Sequence, residues 1–378
     1  MAENMDPFPC RPCIVLLTPP GRGAVATLLV EGPGALEAVE NVFHARRLLA
    51  DGPGDRPRFG RLGNAPGEEV VAWRRAVDAV EVHCHGGPAA VERVTELFVG
   101  QGCRTVDWKS WTRARHDDAI QAAALVALAE ARTGRTATIL LDQYQGALRR
   151  ELDALDKTLC QGNRDATAEQ IHVLLARGPL GLHLTRPWRV VLAGRPNVGK
   201  SSLINALLGY RRAIVHHVPG TTRDVVTAAT VLDGWPIELA DTAGLREGEH
   251  DVERAGIRRA EAELAEADLV VLVFDQSQPW TPEDDALAKA WPEALTVHNK
   301  CDLASSPAAR PPGLHTDALH GAGIDALGHA VAARLVLDPP PPGAAVPFLA
   351  EQITALQTAA EAVARGALEQ AQAALEGI

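Results

Sequence analysis

The sequence predicts an α/β domain over residues 185–338 that is inserted in an α-helical domain and preceded by an α+β domain. Within residues 185–338, short apolar runs alternate with helical segments, which is the pattern of a parallel sheet with helices on its faces. Residues 116–184 are rich in alanine and have helical periodicity, and a second helical segment, at residues 339–378, begins with a run of prolines. Because an inserted domain needs only that its two ends lie close together, we expect the two helical segments to form one domain.

Residues 1–115 alternate short apolar runs with glycine and proline turns. Apolar runs at residues 14–17, 24–30 and 79–82 predict strands, and residues 89–99 predict a helix that packs against them. We therefore expect an α+β domain without an obvious catalytic constellation of its own.

The helical domain is predicted from the spacing of its apolar side chains. One helix is expected to run through the stripe Leu141, Leu148, Leu152, Leu155 and Leu159. A second helix, over residues 169–177, is expected to stop at Gly178-Pro179. One more helix is expected through Leu349, Ile353, Leu356, Ala360, Val363 and Leu368. This helix has no later partner in the sequence, so we expect it to pair with the helix over residues 141–159.

Composition places the chain among globular proteins and limits its functions. The 378 residues include 37 basic and 48 acidic ones, which gives a net charge of −11 and argues against broad non-specific binding of nucleic acid. No apolar run has the roughly 18 residues of a membrane helix and no signal segment is recognised, so we expect a cytoplasmic protein that binds no membrane. The six cysteines are scattered, and Cys10 and Cys13 are expected to be small apolar residues entering a strand, with zinc or redox use as the alternative.

A phosphate-binding loop is predicted at residues 194–201, which read Gly-Arg-Pro-Asn-Val-Gly-Lys-Ser. The loop follows a predicted strand at residues 190–193 and opens a predicted helix at residues 202–208, which is the context that this motif requires. Its glycines let backbone N–H groups converge on phosphate, and the helix N-terminus adds positive potential. We expect Lys200 to reach the β- and γ-phosphates and the Ser201 hydroxyl to bind Mg²⁺.

A base-reading turn is predicted at residues 299–302, Asn-Lys-Cys-Asp, directly after a predicted strand at residues 295–297. The Asp302 carboxylate can accept hydrogen bonds from the N1–H and 2-amino groups of guanine. Adenine offers no such pair of donors, so an unpaired carboxylate would reject it. Downstream of a phosphate-binding loop, this run indicates GTP rather than ATP.

Two further segments complete the pattern of a GTPase (G) domain. Asp241, after a predicted strand at residues 237–240, is placed to hold Mg²⁺ through water, and Gly244 is placed to sense the γ-phosphate. Thr222 can complete the Mg²⁺ sphere only while a γ-phosphate is present. The predicted contacts of GTP or GDP are Gly194, Asn197, Val198, Gly199, Lys200, Ser201, Ser202, Thr221, Thr222, Asp241, Thr242, Ala243, Gly244, Asn299, Lys300, Asp302 and Ala318.

The order of these motifs resembles that of translation-factor-related small GTPases, and residues 194–201 and 220–224 are similar to the branch that contains the Era, Der and MnmE proteins. Residues 18–23 (Thr-Pro-Pro-Gly-Arg-Gly) and 81–87 (Glu-Val-His-Cys-His-Gly-Gly) resemble the N-terminal domain of the tRNA-modification GTPases of the MnmE (TrmE) family, which Era and Der lack. A helical region split by the G domain is also the layout of that family. Residues 317–319, Asp-Ala-Leu, are the best match to the fifth guanine-side element, usually Ser-Ala-x.

The resemblance implies how the G domain hydrolyses GTP. Leu245 stands where many GTPases carry a glutamine, and its side chain cannot orient water. In MnmE-like proteins the loop asparagine binds a potassium ion at the arginine-finger position. Asn197 matches that asparagine, and loop carbonyls of the segment that contains His216, Val218 and Thr221 would complete the potassium site.

The resemblance also implies a glutamate that polarises water from the helix after the second switch. Glu253, in the run Asp-Val-Glu-Arg at residues 251–254, matches that glutamate, and Glu253 and Lys200 are the predicted catalytic residues. Apart from the resemblance, Glu253 is equally compatible with a solvated helix face.

In the same family the N-terminal domain dimerises and binds a formyl-tetrahydrofolate, and with the flavoprotein MnmG the complex modifies the wobble uridine of certain tRNAs. The resemblance therefore implies a homodimer through the N-terminal and G domains, an MnmG-like partner and tRNA. Glu81 matches a folate-contacting glutamate, but Leu29 and His116 replace an expected arginine and lysine, so binding of 5-formyltetrahydrofolate is expected to be lost. The family's closing Phe-Cys-Ile-Gly-Lys is not matched at Gly377-Ile378, so the chain is expected to be a shortened, divergent member.

Three functions stay open at this point. The first is an MnmE-like GTPase that uses Mg²⁺ and K⁺ in tRNA wobble-uridine modification. The second is a regulatory or ribosome-associated switch that has lost folate binding and tRNA chemistry, which the departures just described favour. The third is a non-hydrolysing nucleotide-binding scaffold, which rests on Leu245 and is disfavoured by Asn197, Thr222 and Glu253.

Overall fold

The computed structural model of the chain describes residues 11–21, 23–47, 49, 56–210, 227–241, 264–306 and 309–378. The chain divides into two compact units, Met1–Val126 and Ala127–Ile378. No helix within the described ranges is both long and apolar enough to cross a membrane.

The first unit contains a seven-stranded sheet. Its strands are β1 (Cys13–Leu16), β2 (Val25–Glu31), β3 (Phe43–His44), β4 (Arg58–Leu62), β5 (Glu68–Ala76), β6 (Ala79–His85) and β7 (Arg104–Val106), in the order β3-β4-β5-β6-β2-β1-β7. Neighbouring strands are antiparallel except β1 and β7, which are parallel. Its helices include α1 (Ala35–Glu40), α2 (Pro88–Gly100) and α3 (Trp108–Ala114). The strands predicted at residues 14–17, 24–30 and 79–82 are found as β1, β2 and β6, and the predicted helix is found as α2.

Alternation along β2 and β6 separates the two faces of this sheet, because residues two apart on a strand share a face. Leu28 and Val82 are fully buried and pack in the main core with Phe98 of α2. Leu29 and Glu81 lie on the opposite face, directly across from each other in the register of β2 and β6. The predicted folate residue therefore lies on the face that α2 does not cover.

Three helices follow α3 in the chain: α4 (Ala119–Glu130), α5 (Gly134–Tyr144) and α6 (Ala147–Cys160). The prediction of one helix through residues 141–159 is therefore wrong. Gly146, between α5 and α6, has a φ of 89°, a left-handed conformation that interrupts a helix and that glycine adopts easily. Leu141 is 40% exposed, whereas Leu148 and the later leucines of the stripe are buried.

Helix α7 (Arg164–Leu182) runs through Gly178-Pro179, so the prediction that it stops there is also wrong. Two glycines let its backbone pack closely on the C-terminal segment. A Cβ on Gly178 would lie 3.1 Å from Ile353 Cδ1, and a Cβ on Gly181 would lie 1.8 Å from the Pro347 carbonyl oxygen. This tertiary packing outweighs the hydrogen bond that a proline removes from a helix.

Residues 185–338, the predicted G domain, contain a six-stranded sheet. Its strands are β8 (Trp188–Ala193), β9 (Thr227–Leu232), β10 (Trp235–Asp241), β11 (Leu269–Asp275), β12 (Leu295–Asn299) and β13 (Leu314–Thr316), in the order β13-β12-β11-β8-β10-β9. Neighbours are parallel except that β9 is antiparallel to β10, so the sheet is mixed rather than purely parallel as predicted. The described helices are α8 (Lys200–Tyr210), α9 (Pro282–Ala290) and α10 (Ile324–Leu335). The carboxyl ends of the parallel strands meet at one edge, where ligands of such sheets bind.

The C-terminal segment forms two helices, α11 (Ala350–Arg365) and α12 (Leu368–Leu375), where one was predicted. Gly366 separates them with a φ of 78°. Helix α11 packs along α7, and α12 packs on α6 and α11, so the predicted pairing with residues 141–159 holds for α12 and is wrong for α11. Arg164 Nη2 donates to the carbonyl oxygens of Val363 (3.0 Å) and Ala364 (3.1 Å), which joins the start of α7 to the end of α11.

Candidate nucleotide-binding site

The loop between β8 and α8 depends on two glycines. Gly194 (φ 154°) and Gly199 (φ 96°) adopt backbone conformations that other residues rarely take. A Cβ on Gly194 would lie 2.2 Å from the Val273 carbonyl oxygen, and a Cβ on Gly199 would lie 2.3 Å from Asn299 Nδ2. The loop therefore lies directly against β11 and β12, and only glycine fits at these two points of contact.

Lys200 is the first residue of α8 and is only 4% exposed. Its Nζ donates to the carbonyl oxygens of Gly194 at 3.1 Å and Arg195 at 3.0 Å. The ammonium group thus lies within the loop, at a helix N-terminus, where the helix dipole also favours anions. A phosphate group bound in this loop would meet a fixed positive charge.

Ser201 and Asp241 meet beside the same loop. Asp241 ends β10 and is paired in parallel register with Leu192 of β8, while Ser201 lies in the first turn of α8. The Ser201 hydroxyl donates to Asp241 Oδ2 at 2.5 Å, and Asp241 is 7% exposed. Hydroxyl and carboxylate oxygens are the hard donors that Mg²⁺ prefers, so the chemistry of this pair fits that ion.

Asn299, at the end of β12, connects three loops and is 2% exposed. Its Nδ2 donates to the Val198 carbonyl oxygen at 2.9 Å. Its Oδ1 accepts hydrogen bonds from Thr316 Oγ1 at 3.1 Å and from the Ala318 N–H at 3.3 Å. The side chain therefore positions the phosphate-binding loop against the two turns predicted to contact the base.

Lys300 connects the same loop to Asp275, a residue that the sequence did not lead us to predict. Lys300 Nζ donates to the Asn197 carbonyl oxygen at 2.7 Å and to Asp275 Oδ2 at 2.7 Å. Burial raises the pKa of Asp275, but hydrogen bonds from Lys300 and Ser277 outweigh burial and hold that pKa below its usual range. Asp275 ends β11 at the same edge of the sheet, and that position was the signal that would have identified it.

The guanine-side residues lie in the turns after β12 and β13. The Asp302 side chain is exposed, and one of its carboxylate oxygens lies within 4.8 Å of ligand atoms of Asp317 and His320. Ala318 is half-buried, and its N–H group bonds Asn299. The structure thus brings Asp302, Ala318 and the phosphate-binding loop to one side of the sheet edge.

Several predicted site residues lie outside the described part of the chain. They are His216, Val218, Thr221, Thr222, Thr242, Ala243, Gly244 and Glu253. Leu245 and Cys10 lie outside it as well, whereas Ser202 is half-buried in α8 and Val198 is buried.

The predicted folate position, Glu81, already has basic neighbours from its own sheet. Glu81 Oε1 lies 3.4 Å from Arg75 Nε, and Oε2 lies 3.6 Å from His83 Nε2. Leu29, opposite Glu81 on β2, is 6% exposed and supplies apolar surface where an arginine was expected. His116 is half-buried between α3 and α4.

A mixed α/β sheet that carries the Gly194–Ser201 loop, the Ser201–Asp241 pair and the Asn299–Lys300 turn at one edge defines a P-loop GTPase. Residues 189–300 match the family model MMR_HSR1, described as a 50S ribosome-binding GTPase. The chain is also similar to proteins called tRNA modification GTPase MnmE. Identity to that of Thermus thermophilus is 36% over 366 residues, covering 86% of this chain and 83% of the relative. Identity to that of Chlorobium chlorochromatii is 34% over 357 residues, covering 82% of this chain and 76% of the relative.

The chain belongs to the tRNA modification GTPase MnmE family, and it is a GTP-binding protein that hydrolyses GTP. Among solved structures, the G domain of the T. maritima FeoB iron transporter matches with 28% identity and a TM-score of 0.30, covering 39% of this chain and 99% of that chain.

Proposed function

We propose that this GTPase acts in the modification of the wobble uridine of tRNA. The observation that carries the proposal is the extent of the similarity to relatives named tRNA modification GTPase MnmE, which covers more than four fifths of this chain and not the G domain alone. A regulatory or ribosome-associated switch is the alternative, and it gives no reason for likeness outside the G domain.

In this proposal the nucleotide lies along the sheet edge, with its phosphates on residues 194–202 and its base at Asp302 and Ala318. The buried ammonium of Lys200 supports its role at the β- and γ-phosphates, because it is fixed inside the loop. Mg²⁺, when bound, supplies positive charge that offsets the phosphates; Ser201 and Thr222 would hold it directly and Asp241 through water. The hydrogen bond between Ser201 and Asp241 supports that assignment.

Hydrolysis needs a group that orients water and a charge between the phosphates. The side chain of Leu245 has no polar atom, and we assign the first role to Glu253, which matches the water-polarising glutamate of MnmE-like proteins. We assign the second to K⁺, held by Asn197 and by carbonyls of the segment with His216, Val218 and Thr221. Asn197 has a φ of 63°, a conformation in which asparagine is enriched, and this supports a specific local role for that residue.

Outside the G domain, the chain is proposed to form the other two domains of the MnmE family. Residues 1–115 form an α+β domain, and residues 116–184 and 339–378 form a helical domain interrupted by the G domain at residues 185–338. The packing of α11 and α12 on α7 and α6 supports that insertion. A homodimer through the N-terminal and G domains, an MnmG-like flavoprotein and tRNA are the proposed partners. With Leu29 and His116 in place of two basic residues, 5-formyltetrahydrofolate is not proposed as a cofactor.

Mass analysis of wobble uridines in tRNA tests the proposal. A strain in which the gene is deleted is expected to lack the modification at those positions. The intact gene is expected to restore it, and a gene with Lys200→Ala is not, because that variant loses the loop ammonium. Full modification in the deletion strain would reject the tRNA function and leave the GTPase activity standing.

A further inference from the structure

The loop that joins β11 to α9 turns three of its backbone carbonyl groups towards one side chain, the guanidinium of Arg310. Arg310 Nη1 donates to the Asp275 carbonyl oxygen at 2.9 Å. Its Nη2 donates to the Gln276 carbonyl oxygen at 2.9 Å and to that of Gln278. Hydrogen bonds from a charged donor are stronger than those between neutral groups. Arg310 therefore holds the backbone of residues 275–278 in one conformation.

The same loop fixes the carboxylate of Asp275. Asp275 Oδ1 accepts hydrogen bonds from the Ser277 N–H group at 2.9 Å and from the Ser277 hydroxyl at 2.7 Å. Its Oδ2 accepts from Lys300 Nζ at 2.7 Å, and the Asp275 side chain is 9% exposed. The position of the Lys300 ammonium group is therefore set by the loop that Arg310 holds.

Lys300 in turn supports the phosphate-binding loop, because its Nζ also donates to the Asn197 carbonyl oxygen at 2.7 Å. Asn197 and Lys300 each have a φ of 63°. This conformation is uncommon for residues other than glycine, and it persists where the surroundings hold it in place. The contacts of Arg310, Asp275 and Lys300 thus end at the strained point of the phosphate-binding loop.

A second contact joins the loop after β11 to the base-reading turn. The Gln276 N–H group donates to the Asn299 carbonyl oxygen at 2.9 Å. This bond extends the ladder of β11 and β12, in which Asp275 and Asn299 are paired. The strand pairing fixes this point without Arg310, so we expect Arg310 to act on the nucleotide site mainly through Lys300.

We propose that Arg310 is a positioning residue of the nucleotide site. It shapes the loop after β11, and through that loop Asp275 holds Lys300 on the Asn197 carbonyl oxygen. Arg310 belongs to none of the sequence motifs, and it lies 35 positions from Asp275 in the chain. The inference rests on the proposed function, because it requires the phosphates of the nucleotide on residues 194–202.

The test introduces Arg310→Met into three proteins: the wild type, Lys300→Met and Asp275→Ala. Methionine keeps an unbranched side chain and removes the donors of arginine. In the wild type, Arg310→Met is expected to weaken binding of a fluorescent GDP analogue about tenfold. In the other two proteins it is expected to weaken binding less than about twofold, because the connection to Lys300 is already broken.

Stability provides the second measurement, because a purely structural role would also lower it. Arg310→Met is expected to lower the free energy of unfolding in urea by the same amount in the wild type and in Lys300→Met, since the three carbonyl groups lose their donor in both. Arg310→Lys keeps a charged donor, so it is expected to weaken GDP binding less than Arg310→Met and with the same dependence on Lys300. This milder variant carries the comparison if Arg310→Met does not fold.

Arg164→Met is the matched control. Its guanidinium also donates to backbone carbonyl groups of a distant segment, those of Val363 and Ala364, but it lies at the start of α7. This variant is expected to lower stability and to bind GDP like the wild type. GDP affinity that falls equally in Arg164→Met and Arg310→Met would overturn the inference, because general loosening of the fold would then explain both.

Two further results would overturn the inference: a folded Arg310→Met protein with the GDP affinity of the wild type, or the same weakening by Arg310→Met in the wild type and in Lys300→Met. Lys200→Ala separates this failure from that of the proposed function. It is expected to weaken GDP binding whatever the role of Arg310. A Lys200→Ala protein that binds GDP like the wild type would instead refute the placement of the phosphates on residues 194–202.

Discussion

The side-chain amide of Asn299 donates to the Val198 carbonyl oxygen at 2.9 Å, although the two residues are 101 positions apart in the chain. The same side chain accepts the Ala318 N–H. One buried amide therefore connects the base-reading turns to the phosphate-binding loop. Binding of the base and binding of the phosphates are expected to depend on each other for this reason.

Asn299→Ala is expected to destabilise the G domain and weaken GDP binding together. The variant leaves the buried Val198 carbonyl and the Ala318 N–H without their partner, and each such group costs about 1–3 kcal/mol. Urea unfolding and GDP titration measure the two effects. Asn205→Ala, at an exposed position of α8, is the matched control and is expected to change neither. An Asn299→Ala protein as stable as the wild type would contradict the connecting role.

Asp302→Asn is expected to shift preference from guanine towards xanthine nucleotides. The change replaces two acceptors with one acceptor and one donor, which matches the 2-oxo group of xanthine. Loss of the bonds to the carboxylate is expected to weaken GDP binding about 10- to 100-fold. Competition between GDP and XDP measures the switch, with Asp325→Asn in the exposed first turn of α10 as the control. Unchanged GDP affinity would show that Asp302 does not read the base.

The parts of the site that depend on local sequence were predictable. The Gly194–Ser201 loop requires glycines, a preceding strand and a following helix, and all of these are contiguous in the chain. Asp241 and Asn299 were predicted because each lies at the end of an apolar strand. The contacts of Asp275 and Asn299 were not predictable, because they depend on the strand order that brings β11 and β12 beside the loop.

The errors in the helical segments have two physical causes. Gly146 and Gly366 adopt left-handed conformations, and apolar periodicity continues across such breaks because the flanking helices bury their own faces. Gly178-Pro179 continues α7 because the helix packs closely on Pro347 and Ile353, which lie more than 150 positions away. Local propensity is a weak guide where such distant contacts decide.

The ion pair between Asp275 and Lys300 predicts a pH-dependent stability. The pKa of Asp275 is lower in the folded protein than its ordinary value of about 3.9, so the folded state binds fewer protons. The pair therefore stabilises the folded protein above that ordinary pKa, and the contribution is lost as pH falls through the folded value. Asp275→Asn is expected to lower the free energy of unfolding at about pH 7, with the difference shrinking as the pH falls below the ordinary aspartate pKa of about 3.9.

Urea titrations of wild type and Asp275→Asn across that range measure the difference in the free energy of unfolding. Asp153→Asn, at an exposed position of α6, is the control and is expected to show no comparable trend. A difference between wild type and Asp275→Asn that stays constant with pH would show that the charge of Asp275 is not what stabilises the fold.

Calorimetric titration with 5-formyltetrahydrofolate is expected to show little binding. A folate carboxylate needs a charged partner, and Leu29 and His116 stand where two cations were expected. Glu81 stays close to Arg75 on the same sheet, so its carboxylate is already partly neutralised. Micromolar affinity for 5-formyltetrahydrofolate would contradict this prediction and would support a folate-dependent reaction in the N-terminal domain.

The last prediction concerns the charge that develops between the β- and γ-phosphates during hydrolysis. Arg195, the arginine of the phosphate-binding loop, has its Nη1 atom 3.3 Å from Thr281 Oγ1 and 3.4 Å from Asp284 Oδ2, at the start of α9. Its guanidinium is therefore held by α9 and is not free to act as an arginine finger. Loss of a positive charge between the phosphates typically lowers the rate by a factor of about 10³–10⁵. We expect a potassium ion to supply that charge, and Asn197 is the ligand proposed for it.

Hydrolysis is therefore expected to be several-fold or more faster in KCl than in NaCl at equal ionic strength, and this difference is expected to disappear in Asn197→Ala. Because Asn197 has a φ of 63°, alanine there also strains the backbone, whereas Asn197→Gly removes the same side-chain oxygen and accepts that conformation. Both variants are expected to lose the potassium effect, and Asn197→Gly is expected to keep the stability of the wild type more closely. Phosphate release in the two salts measures the rates. Equal rates in KCl and NaCl for the wild type would reject the potassium mechanism, and a potassium effect that survives in Asn197→Gly would place the ion on other ligands.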